Sequence, residues 1–356
     1  MYYSKMFADK NGLTNQVFSL ITSIIIAYKN NHKVVIVDYF LNDYSKNTYT
    51  SISHIFNIDK LNIFLKKEYD IILIDKYDIN FNLCSIKYGT QTKNIDLTDI
   101  IKEKYYKNNI LLIKKDINLN DLKGDPYYGV NKELFLNYEI NNYLIKEKYE
   151  EVLKEDINID FLNSNYIHTF EWINKFNANM FENILVHIDY DNSLIEKSQN
   201  IFKNISENNK INIIHLRLED DAIEYWSKIN NMTEQNFKTY IENKYIQIIK
   251  KYISNNDENI ILSQSLSNNV INFLIEKKYT YKISDKYFED REKNAIVDLL
   301  ISKKCNNIFI GNFNFKNLNG STFSYYIGKL LDNNVNNNVK KVCIDLDKIT
   351  DDECIR

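Results

Sequence analysis

The sequence predicts a two-domain α/β protein built around parallel β-sheets. Its 356 residues exceed one ordinary core and suit two domains of about 150 to 200 residues each. Apolar β-branched runs alternate with helical patterns after residue 210, which is typical of a doubly wound, Rossmann-like domain. A strand–turn–helix–strand pattern also opens the chain. We therefore expect a Rossmann-like domain at each end, 1–207 and 208–356.

The N-terminal domain begins with a βαβ unit. A β-branched run that follows a helix and ends in an acidic residue, as 33–38 does, is the mark of such a unit. Strands are predicted at 2–8, 33–38, 71–75 and 109–114, and helices at 17–28, 132–154 and 194–204. The polar stretch 206–210 is the predicted linker.

The C-terminal domain shows the more regular alternation. Its predicted strands are 211–216, 259–262, 281–284, 307–310 and 341–344, and its predicted helices are 234–253, 268–278, 291–303 and 321–331. Ligands of such folds bind beyond the carboxyl ends of the strands. The residues that follow Leu216, Leu262 and Ile310 are therefore the first candidates for a binding site.

Composition excludes several classes of function. The chain has 45 basic and 48 acidic residues, a formal net charge of -3, with both signs interspersed, so a general nucleic-acid-binding surface is not expected. Its four cysteines form no CxxC pair or Cys/His cluster, and no metal site is predicted. We find no signal-peptide pattern and no apolar run long enough to span a bilayer, and predict a cytoplasmic protein.

The most informative segment is 215–221, where a short apolar strand runs into a cluster of ionisable groups. The guanidinium of Arg217 can bind a diphosphate through two parallel hydrogen bonds and stabilise its charge. The neighbouring carboxylates of Glu219, Asp220 and Asp221 could orient Arg217 or deprotonate an acceptor hydroxyl. The alternative is a solvated loop in which Arg217 pairs with Glu219 or Asp221.

A second segment places a glycine and two hydroxyl residues, Ser321 and Thr322, at the start of a predicted helix that follows a strand and a loop. Backbone N–H groups and hydroxyls at a helix N-terminus form an anion site. The alternative is that Ser321 or Thr322 is an ordinary helix N-cap.

A third segment, 11–16, joins the first strand to the first helix, where α/β folds present backbone to a ligand. It is not a GxGxxG fingerprint. The alternative is a simple turn in which Thr14 or Asn15 caps the helix.

Two further sets of residues have weaker signals. His187 and Asp189 alternate as strand residues do and could be two ligands of a metal ion. A structural or surface role is favoured because the sequence indicates no third ligand. His168, Glu171 and Trp172 could form a platform for a sugar ring, whereas core packing is the favoured role of Trp172.

In their order and spacing, the three segments resemble motifs of the GDP-fucose fucosyltransferase superfamily. Residues 12–16 resemble its amino-terminal loop, 215–217 its HxR element, and 309–311 with 321–323 its last donor-binding strand and loop. Asp298 lies in the helix before that strand. The likeness is specific over about forty residues. Two departures are Thr14, where many relatives have glycine, and a longer insertion at 312–320.

The resemblance implies a GT-B architecture, in which two Rossmann-like domains face each other across a cleft. The C-terminal domain would hold GDP-fucose and the N-terminal domain the acceptor, a glycan or glycoconjugate. Transfer would be inverting and would need no metal or other cofactor. Carried over by residue, Arg217 would bind the β-phosphate, His215 would line the donor cleft, Ser321, Thr322 and Phe323 would cradle the diphosphate and sugar, Asp298 would meet the guanine or ribose, and Gly12 and Asn15 would face the reacting centre.

The general base is left open among Glu219, Asp220 and Asp221, with Asp221 favoured. Two other functions compete with glycosyl transfer. One is a nucleotide- or carbohydrate-binding protein that keeps the fold without catalysis. The other is a metal-dependent phosphohydrolase with His215, Asp220 and Asp221 as ligands, which the scarcity of histidine disfavours.

Overall fold

The computed structural model of the chain describes residues 1–8, 12–43, 46–161, 164–171, 178–202, 210–263, 265, 267–283, 287–333, 338–347 and 354–355. Over these ranges the chain forms two halves, each built on a parallel β-sheet with helices packed against it. The predicted α/β class is therefore confirmed. No helix in the described ranges is long and apolar enough to cross a membrane.

The bounds of the elements are as follows. The α-helices are α1 (Leu13–Lys29), α2 (Ile58–Tyr69), α3 (Thr98–Tyr105), α4 (Asn120–Lys123), α5 (Ala178–His187), α6 (Asn192–Phe202), α7 (Asp220–Ile229), α8 (Glu234–Tyr252), α9 (Asn269–Glu276), α10 (Arg291–Ser302) and α11 (Thr322–Asp332). The strands are β1 (Tyr2–Lys5), β2 (Val34–Val37), β3 (Phe40–Asp43), β4 (Thr48–Thr50), β5 (Ile72–Asp75), β6 (Phe81–Gly89), β7 (Asn94–Asp96), β8 (Tyr106–Lys107), β9 (Ile110–Ile113), β10 (Glu133–Ile140), β11 (Tyr143–Glu150), β12 (Ile157–Ile159), β13 (Ile167–His168), β14 (Ile211–His215), β15 (Glu258–Leu262), β16 (Tyr281–Ile283), β17 (Ile308–Gly311), β18 (Phe313–Asn314), β19 (Asn319–Gly320), β20 (Lys340–Cys343) and β21 (Cys354–Ile355).

The first half is centred on a four-stranded parallel sheet in the order β13-β1-β2-β5. Strand β2 is buried along its whole length, as its unbroken run of Val and Ile predicts for a strand covered on both faces. Helix α1 connects β1 to β2. The predicted opening βαβ unit is confirmed.

The predicted helix at 132–154 is wrong, because this segment forms the antiparallel hairpin β10–β11. Asn141 and Asn142 form its two-residue turn with φ angles of 51° and 66°, which asparagine adopts more readily than most residues. Along β10, half-buried and buried positions alternate with a period of two. Most of the charged residues that suggested a helix, such as Lys146 and Lys148, lie on the outer face of a sheet with the strand order β11-β10-β6-β7.

The second half is a doubly wound sheet in the order β16-β15-β14-β17-β20-β21, in which only the last pair is antiparallel. Every strand predicted after residue 210 is present within two residues of its expected ends. From β14 the chain continues to β15 on one side, and β17 lies on the other. The carboxyl end of β14 is therefore the topological switch point, where such folds bind ligands.

One hydrophobic core joins the two halves. Helices α1 and α5 of the first half pack against α10 and α11 of the second. Within this core Phe18 and Tyr325 pack edge to face at 5.9 Å, and the hydroxyl of Tyr190 donates to that of Tyr326 at 3.2 Å. The predicted boundary at 207/208 and most of the predicted linker lie outside the described residues, so the division into domains stays a prediction.

Candidate functional site

A cavity of about 290 Å³ lies between the two halves, where α1 begins after β1 and where β14 ends. It is lined by ten of the residues to which the sequence assigned a role in the donor site or in catalysis: Gly12, Asn15, His215, Arg217, Glu219, Asp221, Asp298, Ser321, Thr322 and Phe323. Leu262 and Ser263, at the end of β15, also line the cavity, as expected for residues at the carboxyl end of a strand in this sheet. Asp220 begins α7 and is not among the lining residues.

His215 is the last residue of β14 and is held as a neutral imidazole. The Ser324 hydroxyl accepts a hydrogen bond from the backbone N–H of Asn312 at 2.9 Å and lies 2.7 Å from His215 Nδ1. Its own proton can be donated to Nδ1, an arrangement that favours the tautomer with the imidazole proton on Nε2. Burial, assisted by the charge of Arg217, lowers the pKa of His215 to about 3.

Arg217 follows β14, and its fork of N–H groups is oriented by two carboxylates. Nη1 donates to Glu219 at 2.8 Å and Nη2 to Asp221 at 2.9 Å. Its backbone N–H donates to the hydroxyl of Tyr245 at 3.1 Å, and that hydroxyl lies 2.7 Å from the carbonyl oxygen of His215. Burial acts to lower the pKa of Arg217, but the two carboxylates raise it overall, so the guanidinium stays charged.

Both interpretations of the 215–221 segment describe part of what is observed. The ion pairs of Arg217 with Glu219 and Asp221 are those of the solvated-loop alternative. However, the Arg217 side chain is only 22% exposed and lines the cavity, and the two contacts leave other guanidinium N–H groups available to a ligand. The side chain of Asp221 is 59% exposed and that of Glu219 is 16% exposed, so Asp221 is the freer of the two partners.

The N-terminus of α11 lines the same cavity as Arg217. Ser321 occupies the N-cap position, yet its side chain makes no capping hydrogen bond. Thr322 Oγ1 donates to Asn15 Oδ1 at 3.1 Å and so links the two halves. The interpretation of Ser321 as an ordinary side-chain cap is therefore not what the structure shows, and Ser321 lines the cavity together with Thr322 and Phe323 of the first turn of the helix.

The predicted insertion at 312–320 forms the hairpin β18–β19, which returns the chain to the cavity. Gly320 closes it with a φ of 111°, and a Cβ at this position would lie 2.2 Å from the carbonyl oxygen of Asn312. The backbone N–H of Ser321 donates to that same oxygen at 2.7 Å. Glycine is thus required at 320 for Ser321 to lie where it does.

Glu292, on the first turn of α10, lines the cavity and was missed by the sequence interpretation. One of its carboxylate oxygens, Oε2, accepts a hydrogen bond from the backbone N–H of Leu13, which follows the N-cap Gly12 of α1. Its other oxygen, Oε1, is buried without a hydrogen-bond partner and lies 3.7 Å from Arg291 Nη1.

Burial raises the pKa of Glu292 to about 7, against the lowering effects of the Arg291 charge and the Leu13 N–H, and with a small further rise from Asp43. No local pattern signals this carboxyl, because Arg-Glu in a first helical turn is common and the burial arises from α1 and β3. Gly12 itself could carry a Cβ without a clash, 3.7 Å from Glu292 Oε2, so its presence does not depend on close packing.

The weaker candidates do not form sites of their own. His187 ends helix α5 and stacks on Phe64 at 3.9 Å, so the predicted strand alternation there is wrong. Asp189 pairs with Lys60 at 2.5 Å. His168 Nδ1 lies 3.1 Å from the hydroxyl of Ser19. Trp172 lies outside the described residues, among which no group of three or more His, Cys, Asp or Glu could hold a metal ion.

The fold and the cavity define an α/β protein with an arginine and a helix N-terminus facing one cleft between two parallel-sheet halves. The sequence matches no protein-family model and no curated protein. Similar solved structures include POFUT1 in complex with GDP-fucose, with 10% identity over 93% of this chain and 94% of that one and a TM-score of 0.48. POFUT1 in complex with GDP is 10% identical over 95% and 97% of the two chains, with a TM-score of 0.46.

A third similar structure, NodZ alpha-1,6-fucosyltransferase soaked with GDP-fucose, is 12% identical over 51% of this chain and 53% of that one, with a TM-score of 0.32. These proteins are fucosyltransferases, the class that the three sequence motifs resemble. At such identities and TM-scores the likeness assigns neither a donor nor a reaction to this chain.

Proposed function

We propose that the chain is a glycosyltransferase that moves fucose from GDP-fucose to a hydroxyl of a glycan or glycoconjugate, with inversion and without a metal ion. The observation that carries this proposal is the placement of Arg217 and the N-terminus of α11 on one cavity at the topological switch point. A guanidinium opposite a helix N-terminus with a free hydroxyl is suited to a diphosphate.

The nucleotide sugar has candidate partners in this cavity. The diphosphate lies between Arg217 and the first turn of α11, where Ser321 supplies a hydroxyl and the helix N-terminus supplies backbone N–H groups. The Nε2 proton of His215 adds a neutral donor that stays neutral at physiological pH. Asp298, two turns along α10 from Glu292, is the acceptor for the guanine or ribose.

In the reaction, the acceptor oxygen bonds to the anomeric carbon as the bond from that carbon to the phosphate oxygen breaks. The electron pair leaves with the diphosphate, and Arg217 stabilises the charge that develops there. Glu219 and Asp221 hold the guanidinium in place, which supports the orienting role among those predicted for them.

The acceptor hydroxyl must also lose its proton. Asp221 can take it once the contact with Arg217 opens, and its exposed side chain is free to turn away. Glu292 offers a second carboxyl in the same cavity, with one oxygen unpartnered and a pKa of about 7, close to the value at which a general base works best at neutral pH. Comparison of Asp221→Asn with Glu292→Gln in the rate of donor hydrolysis distinguishes the two.

The donor assignment is tested by thermal melting with GDP, UDP, ADP, GDP-fucose and GDP-mannose, in buffer without metal. Selective binding stabilises the folded protein by mass action, so GDP-fucose should raise the melting temperature most and UDP and ADP least. Arg217→Ala should abolish the shift and slow GDP release from GDP-fucose, a loss of roughly 2 to 4 kcal/mol in transition-state stabilisation.

Two variants serve as controls. Arg217→Lys keeps the charge but loses the fork, and should restore only part of the binding. Lys228→Ala removes an exposed cation from α7, far along the helix from the cavity, and should change nothing. Equal shifts with all five nucleotides, or normal turnover by Arg217→Ala, would refute the proposal. GDP binding without donor consumption under any acceptor would instead indicate the non-catalytic alternative.

A further inference from the structure

Three neighbouring strands of the first sheet share an unusual feature at their carboxyl ends. Strands β1, β2 and β5 lie side by side, and each is followed by an aromatic residue two positions after its last residue: Phe7, Tyr39 and Tyr77. Because the strands are parallel, the three side chains lie at one edge of the sheet. This is the edge from which α1 departs to form the wall of the cavity.

A fourth ring, that of Tyr49 on β4, connects the three into a continuous row. Ring centroids are 5.2 Å apart for Phe7 and Tyr49, 5.8 Å for Tyr49 and Tyr39, and 4.7 Å for Tyr39 and Tyr77. The tyrosines remain 36 to 45% exposed. We call these four residues the aromatic platform. An exposed row of rings on a protein surface marks a place of contact with a ligand or partner.

A partly buried cation contacts two rings of the platform. The ammonium of Lys76 lies 5.7 Å from the ring of Tyr39, 5.8 Å from that of Tyr77 and 4.5 Å from that of Tyr166. It also pairs with Asp38 at 3.4 Å. These contacts orient the rings before any ligand arrives, and the Asp38–Lys76 pair puts polar groups beside their apolar faces.

The platform lies next to the walls of the cavity. Phe7 precedes Gly12, the N-cap of α1, by five residues. On the other side, Tyr49 follows Thr48, whose Oγ1 lies 3.5 Å from Asp290, the N-cap of α10. The platform therefore lies beside the start of α10, and Phe7 lies shortly before α1 in the sequence; residues of both helices line the cavity in which the donor sugar is proposed to react.

We infer that the aromatic platform binds pyranose rings of a carbohydrate, which on the proposed function are part of the acceptor. Flat rings with polar tips match a sugar, whose C–H face is apolar and whose edge carries hydroxyls. Four side chains are also too few to form a protein–protein interface, which needs roughly 800 Å² from each partner. Only the identification of this carbohydrate as the acceptor rests on the proposed function. Carbohydrate binding by the platform does not depend on it.

The test uses lactose, a neutral disaccharide of two β-linked pyranoses, and saturation-transfer NMR with irradiation of the protein's aromatic protons. Lactose C–H protons should receive saturation from the wild-type protein without any nucleotide. In Tyr39→Ser/Tyr77→Ser the apparent Kd should rise about tenfold, since two stacking faces are lost. Tyr49→Ser should shift the Kd in the same direction while leaving the Tyr39–Tyr77 pair intact.

Matched controls separate stacking from folding. Tyr39→Phe/Tyr77→Phe keeps both rings and should keep lactose binding within about twofold. Tyr128→Ser removes a tyrosine that is 92% exposed elsewhere and should have no effect. GDP melting shifts, measured on the same samples, report separately on the donor site, so loss of those shifts alone would refute the proposed function and leave the platform standing.

Three results would overturn the inference. The first is that the wild-type protein transfers no saturation to lactose, and the second is that the lactose Kd is unchanged in both Tyr39→Ser/Tyr77→Ser and Tyr49→Ser. The third is that Tyr128→Ser weakens lactose binding as much as the platform variants do. If the serine variants change the sedimentation coefficient and wild-type protein transfers no saturation to lactose, the platform is instead a surface for self-association.

Discussion

The titration of Glu292 makes a quantitative prediction about stability. Its pKa rises from an ordinary 4.5 in the unfolded chain to about 7 in the folded protein. The folded state therefore holds the proton more tightly, and the stabilisation from this group is complete below the unfolded pKa and lost as the pH rises through the folded one. At 1.36 kcal/mol per unit of pKa, the loss amounts to roughly 3 kcal/mol.

Glu292→Gln removes the titration while keeping an oxygen that can accept the hydrogen bond from Leu13. At about pH 5 the variant should be the more stable by only roughly 1 kcal/mol or less, because Glu292 is protonated in the folded wild type and the pH is only slightly above its unfolded pKa. At about pH 8 the variant should be the more stable by roughly 3 kcal/mol, because the wild type must hold a charge in a buried site.

The measurement is urea unfolding of both proteins across this pH range, with the difference in the free energy of unfolding plotted against pH. Glu292→Asp, which keeps a titrating carboxyl in the same place, should follow the wild type in the direction of its pH dependence. If the curves of the wild type and Glu292→Gln run parallel from about pH 5 to about pH 8, then burial does not raise the pKa of Glu292 and its proposed use as a proton acceptor fails with it.

Three further substitutions probe the walls of the cavity. Gly320→Ala should lower the free energy of unfolding by roughly 2 kcal/mol or more, because its Cβ meets the carbonyl oxygen of Asn312; a melting temperature equal to the wild type's would contradict this. Tyr245→Phe removes the hydroxyl that contacts the backbone on both sides of Leu216, and it should lower the free energy of unfolding in urea by about 1 to 3 kcal/mol. A decrease smaller than that caused by an exposed Tyr→Phe substitution would contradict this prediction. Ser324→Ala frees the His215 ring to change tautomer and should weaken GDP binding about tenfold in calorimetry, whereas an unchanged Kd would show that the Nε2 proton is not used.

The sequence predicted the fold correctly where the chain forms buried parallel strands, because such strands are easy to recognise in a sequence. Strands such as β14 and β15 are covered on both faces, so they appear as unbroken apolar runs between helices. The failure at 132–154 has the opposite cause. The hairpin there has one face in solvent, and the Lys and Glu residues of β11 are as common on a helix surface as on an exposed sheet face. The Asn141-Asn142 turn was the available signal.

The same distinction separates the site residues that the sequence indicated from the one it did not. Arg217 and Ser321 could be found because each follows a strand of a doubly wound sheet, where ligands bind. Glu292 could not, because its properties depend on a contact with Leu13, a residue 279 positions away. Its burial and raised pKa arise only when α10 meets the start of α1, and neither helix contains that information alone.

The insertion at 312–320 departs from the fucosyltransferase motifs that the sequence resembles, yet Ser321, which follows it, lines the cavity. Its extra length is taken up by β18 and β19, which pair with each other and return the chain to its starting point. Two hydrogen bonds of the Asn312 backbone hold the base of this hairpin. Its carbonyl oxygen accepts from the N–H of Ser321, and its N–H donates to the hydroxyl of Ser324. The hydroxyl of Ser324 in turn lies 2.7 Å from Nδ1 of His215. The position of the α11 N-terminus relative to β14 thus depends on the base of the hairpin, so a longer loop at this point is no argument against donor binding.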